Sequence, residues 1–228
     1  MKTLIEHFNI LYPAYSAQAI VGATVTVEEC EAEDKQHYVR RLHITDFNGW
    51  QIPHEISKTN TQLYQLCQQS KPVPKEACHE LVRKDCDGLL PYPTDNAHVL
   101  LAVEIKTSFD ADDILLATRQ IIGSIVKLDN MMSLTRRYDR KKIKYKGVIV
   151  SRGATASKIT GWKDIRDAKT RYLARLAQGK PCVMRKSDLE AVYHPLTLRD
   201  IEILHLDVAP GVKETSVTHA ELRSRYNI

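Results

Sequence analysis

The chain predicts an α/β fold, a central mixed β-sheet flanked by helices, and three observations carry that expectation. Short β-branched runs at Val21–Val27, Gly147–Val150 and Ile201–Val208 alternate along the chain with long amphipathic stretches. An acid-bearing segment, Asp85–Leu90, returns after Pro91-Tyr92-Pro93-Thr94-Asp95-Asn96 as the apolar run His98–Ser108, which reads as a hairpin. Its 228 residues, 43% of them hydrophobic, are enough for one domain with a sizeable core.

Taken in order, the first 18 residues begin with a mildly amphipathic stretch, a short helix ending before Pro13. Val21–Val27 is an alternating strand, Glu28–Asp34 an acidic loop, and Gln36–Thr45 a returning strand; Asn48-Gly49 is a turn signal. Lys58–Gln69 reads as a helix stopped by the connector Lys71-Pro72-Val73-Pro74, and Lys75–Lys84 as a second short helix or one turn leading into the next strand. Asp110–Arg136 is the strongest helix signal. Asp110, Asp112 and Asp113 favour its amino end, and Ile114, Ala117, Ile121, Ile125 and Leu128 follow helical spacing. Lys144–Ser151 is a short buried strand, Trp162–Gln178 a charge-laced helix closed by Gly179, and Ile201–Val208 a last strand before a polar tail over 209–228.

Composition removes several classes of function. No apolar stretch approaches the length that spans a bilayer, and the amino terminus is no signal peptide, so a cytoplasmic protein with no membrane partner is expected. Five scattered cysteines with no C-x-x-C pair speak against a disulfide framework or a zinc finger; small buried thiols are the expectation. The nine histidines fall into no metal or catalytic motif, and none is assigned catalysis. Charge is uneven: residues 1–114 hold 10 Lys+Arg against 17 Asp+Glu (net −7), and residues 115–228 hold 23 against 11 (net +12). An acidic half joined to a basic one suits an enzyme that cleaves a polyanion.

The chemistry concentrates in Asp87, Glu104 and Lys106. A strand sends residues i and i+2 to one face, so Glu104 and Lys106 point together while Val103 and Ile105 face the core. Charges converging beside a sheet are costly unless a metal or phosphate uses them. Mg²⁺ or Mn²⁺ takes hard oxygen ligands: Asp87 and Glu104 supply carboxylates, the Ile105 carbonyl can add a third oxygen, and Lys106 can act on water or on transition-state charge. Asp85 is an alternative to Asp87, which is preferred because Gly88 allows close backbone approach.

Asp87-Gly88-Leu89-Leu90, then Val103-Glu104-Ile105-Lys106-Thr107-Ser108, then a helix carrying Gln120, resembles the PD-(D/E)xK nuclease superfamily. Cys86 stands where the nominal motif has proline. The resemblance covers about residues 80–150 and implies a restriction-endonuclease-like core. It also implies metal binding by Asp87 and Glu104, action of Lys106 on water, and assistance from Gln120. Members often add an upstream helical Glu, for which Glu80 is the first candidate and Glu76 and Glu55 the others.

Arg136, Arg137, Arg140, Lys141, Lys142, Lys144 and Lys146, interleaved with Tyr138 and Tyr145, form a segment able to track phosphates and stack on bases. The loop Ser151–Lys158 has small residues but lacks the P-loop ending. The expected protein is a single nuclease domain over 1–228: a β-hairpin region (1–57), a catalytic core with the basic region (58–208) and the tail. Its expected function is that of a Mg²⁺-dependent DNA endonuclease acting on double-stranded DNA as a homodimer, of restriction or other defence type. Alternatives are a repair or recombination nuclease on the same core and a non-catalytic nucleic-acid-binding protein.

Overall fold

A computed structural model describes residues 1–29, 39–53, 85–155, 158–159, 161, 168–184 and 201–228. The expected helices at 58–69 and 75–84, Glu55, Glu76 and Glu80, and Cys30, Cys67 and Cys78 lie outside them. The protein is α/β, with two mixed sheets and flanking helices.

Helix α1 (Lys2–Leu11) buries Leu4, Ile5 and Phe8 and stops at Tyr12, before a single 3₁₀ turn that starts on Pro13. Asn9 fixes the exit: its Oδ1 accepts the Ala17 N–H at 2.8 Å and its Nδ2 donates to the Ala17 carbonyl at 3.2 Å. Strand β1 (Gln18–Glu28) pairs antiparallel with β2 (Arg41–Gln51) across bulges around Ala23. The expected turn at Asn48-Gly49 is instead strand interior. Asn48 Oδ1 accepts the N–H of Gly22, which sits at positive φ beside the bulge. Gly49 is there for a close approach, because a Cβ would lie 2.6 Å from the Pro91 carbonyl oxygen.

The central sheet has the order β3-β4-β5-β7-β6. Strands β3 (Gly88–Pro93) and β4 (His98–Ile105) form the expected hairpin, closed by mutual hydrogen bonds between Thr94 and Ala97. Helix α2 (Ala111–Ser133) carries the chain to β5 (Ile143–Arg152), parallel to β4; it ends three residues short of the expected Arg136. Helix α3 (Ala168–Ala177) is followed by Gly179 at positive φ, then β6 (Cys182–Met184). Strand β7 (Ile201–Val208) runs parallel to β5 over the residues expected.

The region expected to be a polar tail is structured. Strand β8 (Glu214–Thr218) pairs parallel with β2, and α4 (His219–Arg225) follows, closed by a Thr218–Glu221 capping box. Leu222 and Tyr226 are buried, and the Tyr226 hydroxyl donates to the Gly147 carbonyl at 2.5 Å. The pattern reads as polar because β8 lies at a sheet edge and buries only Val217. Its partner strand is some 170 residues away in sequence. That pairing also interleaves the acidic and basic halves, with Arg41 bridging Glu28 at 2.9 Å and Glu214 at 2.8 Å.

Both faces of the central sheet are covered. Leu100, Ala102, Ile149 and Ile203 pack against residues of α1, α2 and α3; Val99, Leu101, Val103, Ile105, Val148 and Leu204 pack against residues of β1, β2 and α4. Strand β4 is therefore buried on both sides, as central parallel strands are, and alternation does not deliver Glu104 to solvent.

Candidate active site

Register brings Asp87 and Glu104 together. Gly88 pairs with Val103, so Asp87 stands beside Glu104 on the next rung of an antiparallel ladder. Asp87 Oδ2 accepts the Ile105 N–H at 2.7 Å, which ties the first acid to the strand that bears the second. Gly88 does stand at a close approach: a Cβ would lie 2.8 Å from both methyl carbons of Val27, so the glycine lets β3 pack on β1.

Glu104 is 1% exposed. Its Oε1 is 2.6 Å from Lys106 Nζ, and its Oε2 is buried without a hydrogen-bond partner. Burial pushes the Glu104 carboxyl well above the ordinary carboxylate range, and the Asp87 charge pushes the same way; Lys106 and the Asp87 backbone amide partly offset both. A buried carboxylate with one orphaned oxygen beside a second carboxylate is short of positive charge. That deficit fits a hard divalent cation. Among the described residues no group of three or more His, Cys, Asp or Glu could hold a metal, so the remaining ligands would be backbone oxygen, water and substrate.

The other expected residues fall as follows. The Asp85 carboxylate is ion-paired with the buried Lys127 of α2, and its carbonyl accepts Gln120 Nε2 at 2.9 Å. Gln120 thus braces the segment leading into Asp87, with its Oε1 buried and unpartnered. Cys86 is a buried free thiol pushed up to about 12 by burial, and Cys182 is likewise buried. The basic segment lies elsewhere. Ile143 pairs with His98 and Ile149 with Glu104, so residues 136–142 precede the opposite end of β5, six residues or about 20 Å away. Tyr138 and Tyr145 do not stack outward: with Arg140 they donate to the buried Asp129, Tyr145 at 2.6 Å and Arg140 at 2.5 Å. Lys146 is buried against Glu202 and the Tyr226 ring.

Three residues that sequence reasoning missed share the face of Glu104. Glu104, Ile149 and His205 lie on one rung of β4, β5 and β7, and Ser151 pairs with Asp207 two residues further on. Lys106 donates its backbone N–H to the Val150 carbonyl at 2.8 Å, which extends the β4–β5 pairing toward them. The alternation Ile203, His205, Asp207 hints at a shared face, but only register puts that face beside Glu104. Residues 153–155 leave β5 at this same end of the sheet, where parallel sheets bind ligands.

His205 Nε2 and Ser151 Oγ are 2.9 Å apart, and the Phe109 ring meets the imidazole edge-on at 4.6 Å. Burial lowers the His205 pKa from 6.5 to about 4. The unfolded chain therefore binds a proton that the native state refuses: stability is complete above about 6.5 and falls as pH drops toward 4. Native protein should lose about 2 kcal/mol from this group between pH 7 and 5. His205→Gln, which can still bond Ser151, should flatten that loss in denaturant titrations at the two pH values.

No family model, curated protein or solved structure matches the chain.

Proposed function

We propose that the protein is a Mg²⁺-dependent endonuclease that hydrolyses phosphodiester bonds of duplex DNA on a restriction-endonuclease-like core. One observation carries the reading: Glu104, whose Oε2 is buried and without a hydrogen-bond partner, stands beside Asp87 in register, while Lys106 holds its other oxygen. Asp87 and Glu104 would hold the metal, with the Ile105 carbonyl as a third oxygen. When bound, the ion supplies Lewis-acid polarisation of a phosphate oxygen and acidifies water.

The chain's own groups do the rest. Glu104 is set by its strand, Asp87 by the Ile105 N–H, and the approach to Asp87 by Gln120 and Lys127. Lys106 is 19% exposed and spends one of three donors on Glu104, leaving two to orient water or to meet charge growing on the phosphate. The hairpin followed by a helix crossover to parallel β5 and β7 supports the same reading, and cutting both strands with one such site per chain calls for a homodimer.

The test is supercoiled plasmid with purified protein and Mg²⁺. Nicking or linearisation is expected, suppressed by EDTA and slowed about 10²–10⁴-fold by Lys106→Ala. Intact plasmid with the native protein, or equal rates with the variant, rejects the reading.

A further inference from the structure

The turn between α2 and β5 divides its side chains between two tasks around one buried carboxylate. Asp129 is 1% exposed and takes Tyr138, Arg140 and Tyr145 as donors, so these three side chains are spent on the fold. The Asp139 side chain caps the 3₁₀ turn Arg140–Lys142 by accepting the Lys141 N–H at 3.0 Å. The turn is thereby held from inside. Its outward side chains are almost all cationic: Arg136, Arg137, Lys141, Lys142 and Lys144 are exposed, against the single acid Asp139. Arg136, Arg137, Lys142 and Lys144 make no ion pair among the described residues, whereas Arg140 bridges Asp129 of α2. Lys142 also helps hold His98 below its ordinary pKa, behind burial and the amino terminus, and Asp139 only partly offsets them.

We infer that this turn is a preorganised docking surface for the phosphate backbone of duplex DNA, separate from the Asp87–Glu104–Lys106 end of the sheet. Only the link to a cutting site rests on the nuclease reading; the grip itself does not. The two ends of β4 and β5 are about 20 Å apart, which corresponds to about six base pairs of duplex. A rigid turn loses little side-chain and backbone entropy on binding, and closely spaced cations release condensed counterions from a polyanion. Leu134 is the large apolar side chain exposed on the turn itself; Ile10 and Leu11 are also exposed, next to Tyr12, whose hydroxyl donates to the Met131 carbonyl at the end of α2. The charge of the turn, not a lack of apolar surface, therefore favours duplex over lipid.

The test measures binding without divalent metal, by fluorescence anisotropy of a labelled duplex of about two helical turns over a salt series. The native protein is compared with the triple variant Arg137→Ala, Lys142→Ala, Lys144→Ala. Each cation withdrawn from a phosphate should reduce the slope of log affinity against log salt by about 0.9, so a slope shallower by about 2–3 is expected at unchanged thermal stability. An unchanged slope overturns the surface, as does binding of the native protein to anionic phosphatidylglycerol vesicles but not to duplex. Plasmid cleavage by the same preparations separates the two proposals. An unchanged slope with Mg²⁺-dependent cleavage removes only the docking surface. A reduced slope with no cleavage by the native protein removes only the nuclease.

Discussion

Glu104→Gln should abolish Mg²⁺-dependent cleavage, by about three orders of magnitude or more, while the metal-free protein stays at least as stable as the native chain. The amide keeps the shape of the side chain but removes a buried charge that Asp87 opposes and Lys106 only half answers. Lys106, being partly exposed, can turn its ammonium to water once the charge is gone. A ligand that binds only the native state stabilises it in proportion to the logarithm of its concentration over Kd. Mg²⁺ should therefore raise the melting temperature of the native protein and leave that of the variant unmoved. Calorimetry with and without the ion reads this independently of turnover. A variant that melts well below the native chain in EDTA would make Glu104 a structural partner of Lys106, and the metal reading would fall with it.

Asp129→Ala should cost about 3–5 kcal/mol, the largest loss expected from a single change far from the site. The carboxylate is fully enclosed and answers three donors at once, and its removal takes the acceptor from two phenols and a guanidinium, although Arg140 Nε keeps its bond to the Tyr138 hydroxyl. Arg140 is partly exposed and can recover some solvation, whereas Tyr145 is buried and cannot. The double change Asp129→Ala, Tyr145→Phe should therefore lose less than the sum of the two single changes in urea titrations. Strict additivity would mean that the cluster does not act as a unit. Because the same cluster shapes the basic turn, the single variant should also weaken duplex binding, even though no exposed cation has been removed.

Glu104 and Asp129 differ in how far the chain announces them. Glu104 and Lys106 are legible in one dimension, since two residues on a strand share a face whatever surrounds them. The hairpin to Asp87, the long helix after it and β7 follow from local periodicity and turn chemistry. Asp129, by contrast, looks like any polar residue near the end of an amphipathic helix. Its meaning depends on three donors that come from beyond the helix. The basic segment misleads for the same reason: seven cations within eleven residues suggest one surface, but Arg140 and Lys146 are absorbed by Asp129 and Glu202.

What the linear order of residues decided was the class of the fold, most of its central elements and the pair Glu104–Lys106, because each depends on neighbours within a few turns or strand steps. What only the tertiary structure decided was everything set by register and by contacts between distant segments. Pairing of Gly88 with Val103 chose the neighbour of Glu104, and Lys127 ion-pairs the carboxylate of Asp85. The rung through Ile149 brought His205 onto the same face, and the parallel ladder from His98 to Ile105 put the basic turn at the opposite end of the sheet. A one-residue slip would turn every side chain of a strand to its other face, and nothing local to either strand states which register wins. That choice belongs to the packed core, where the two faces of β4 are filled by different partners.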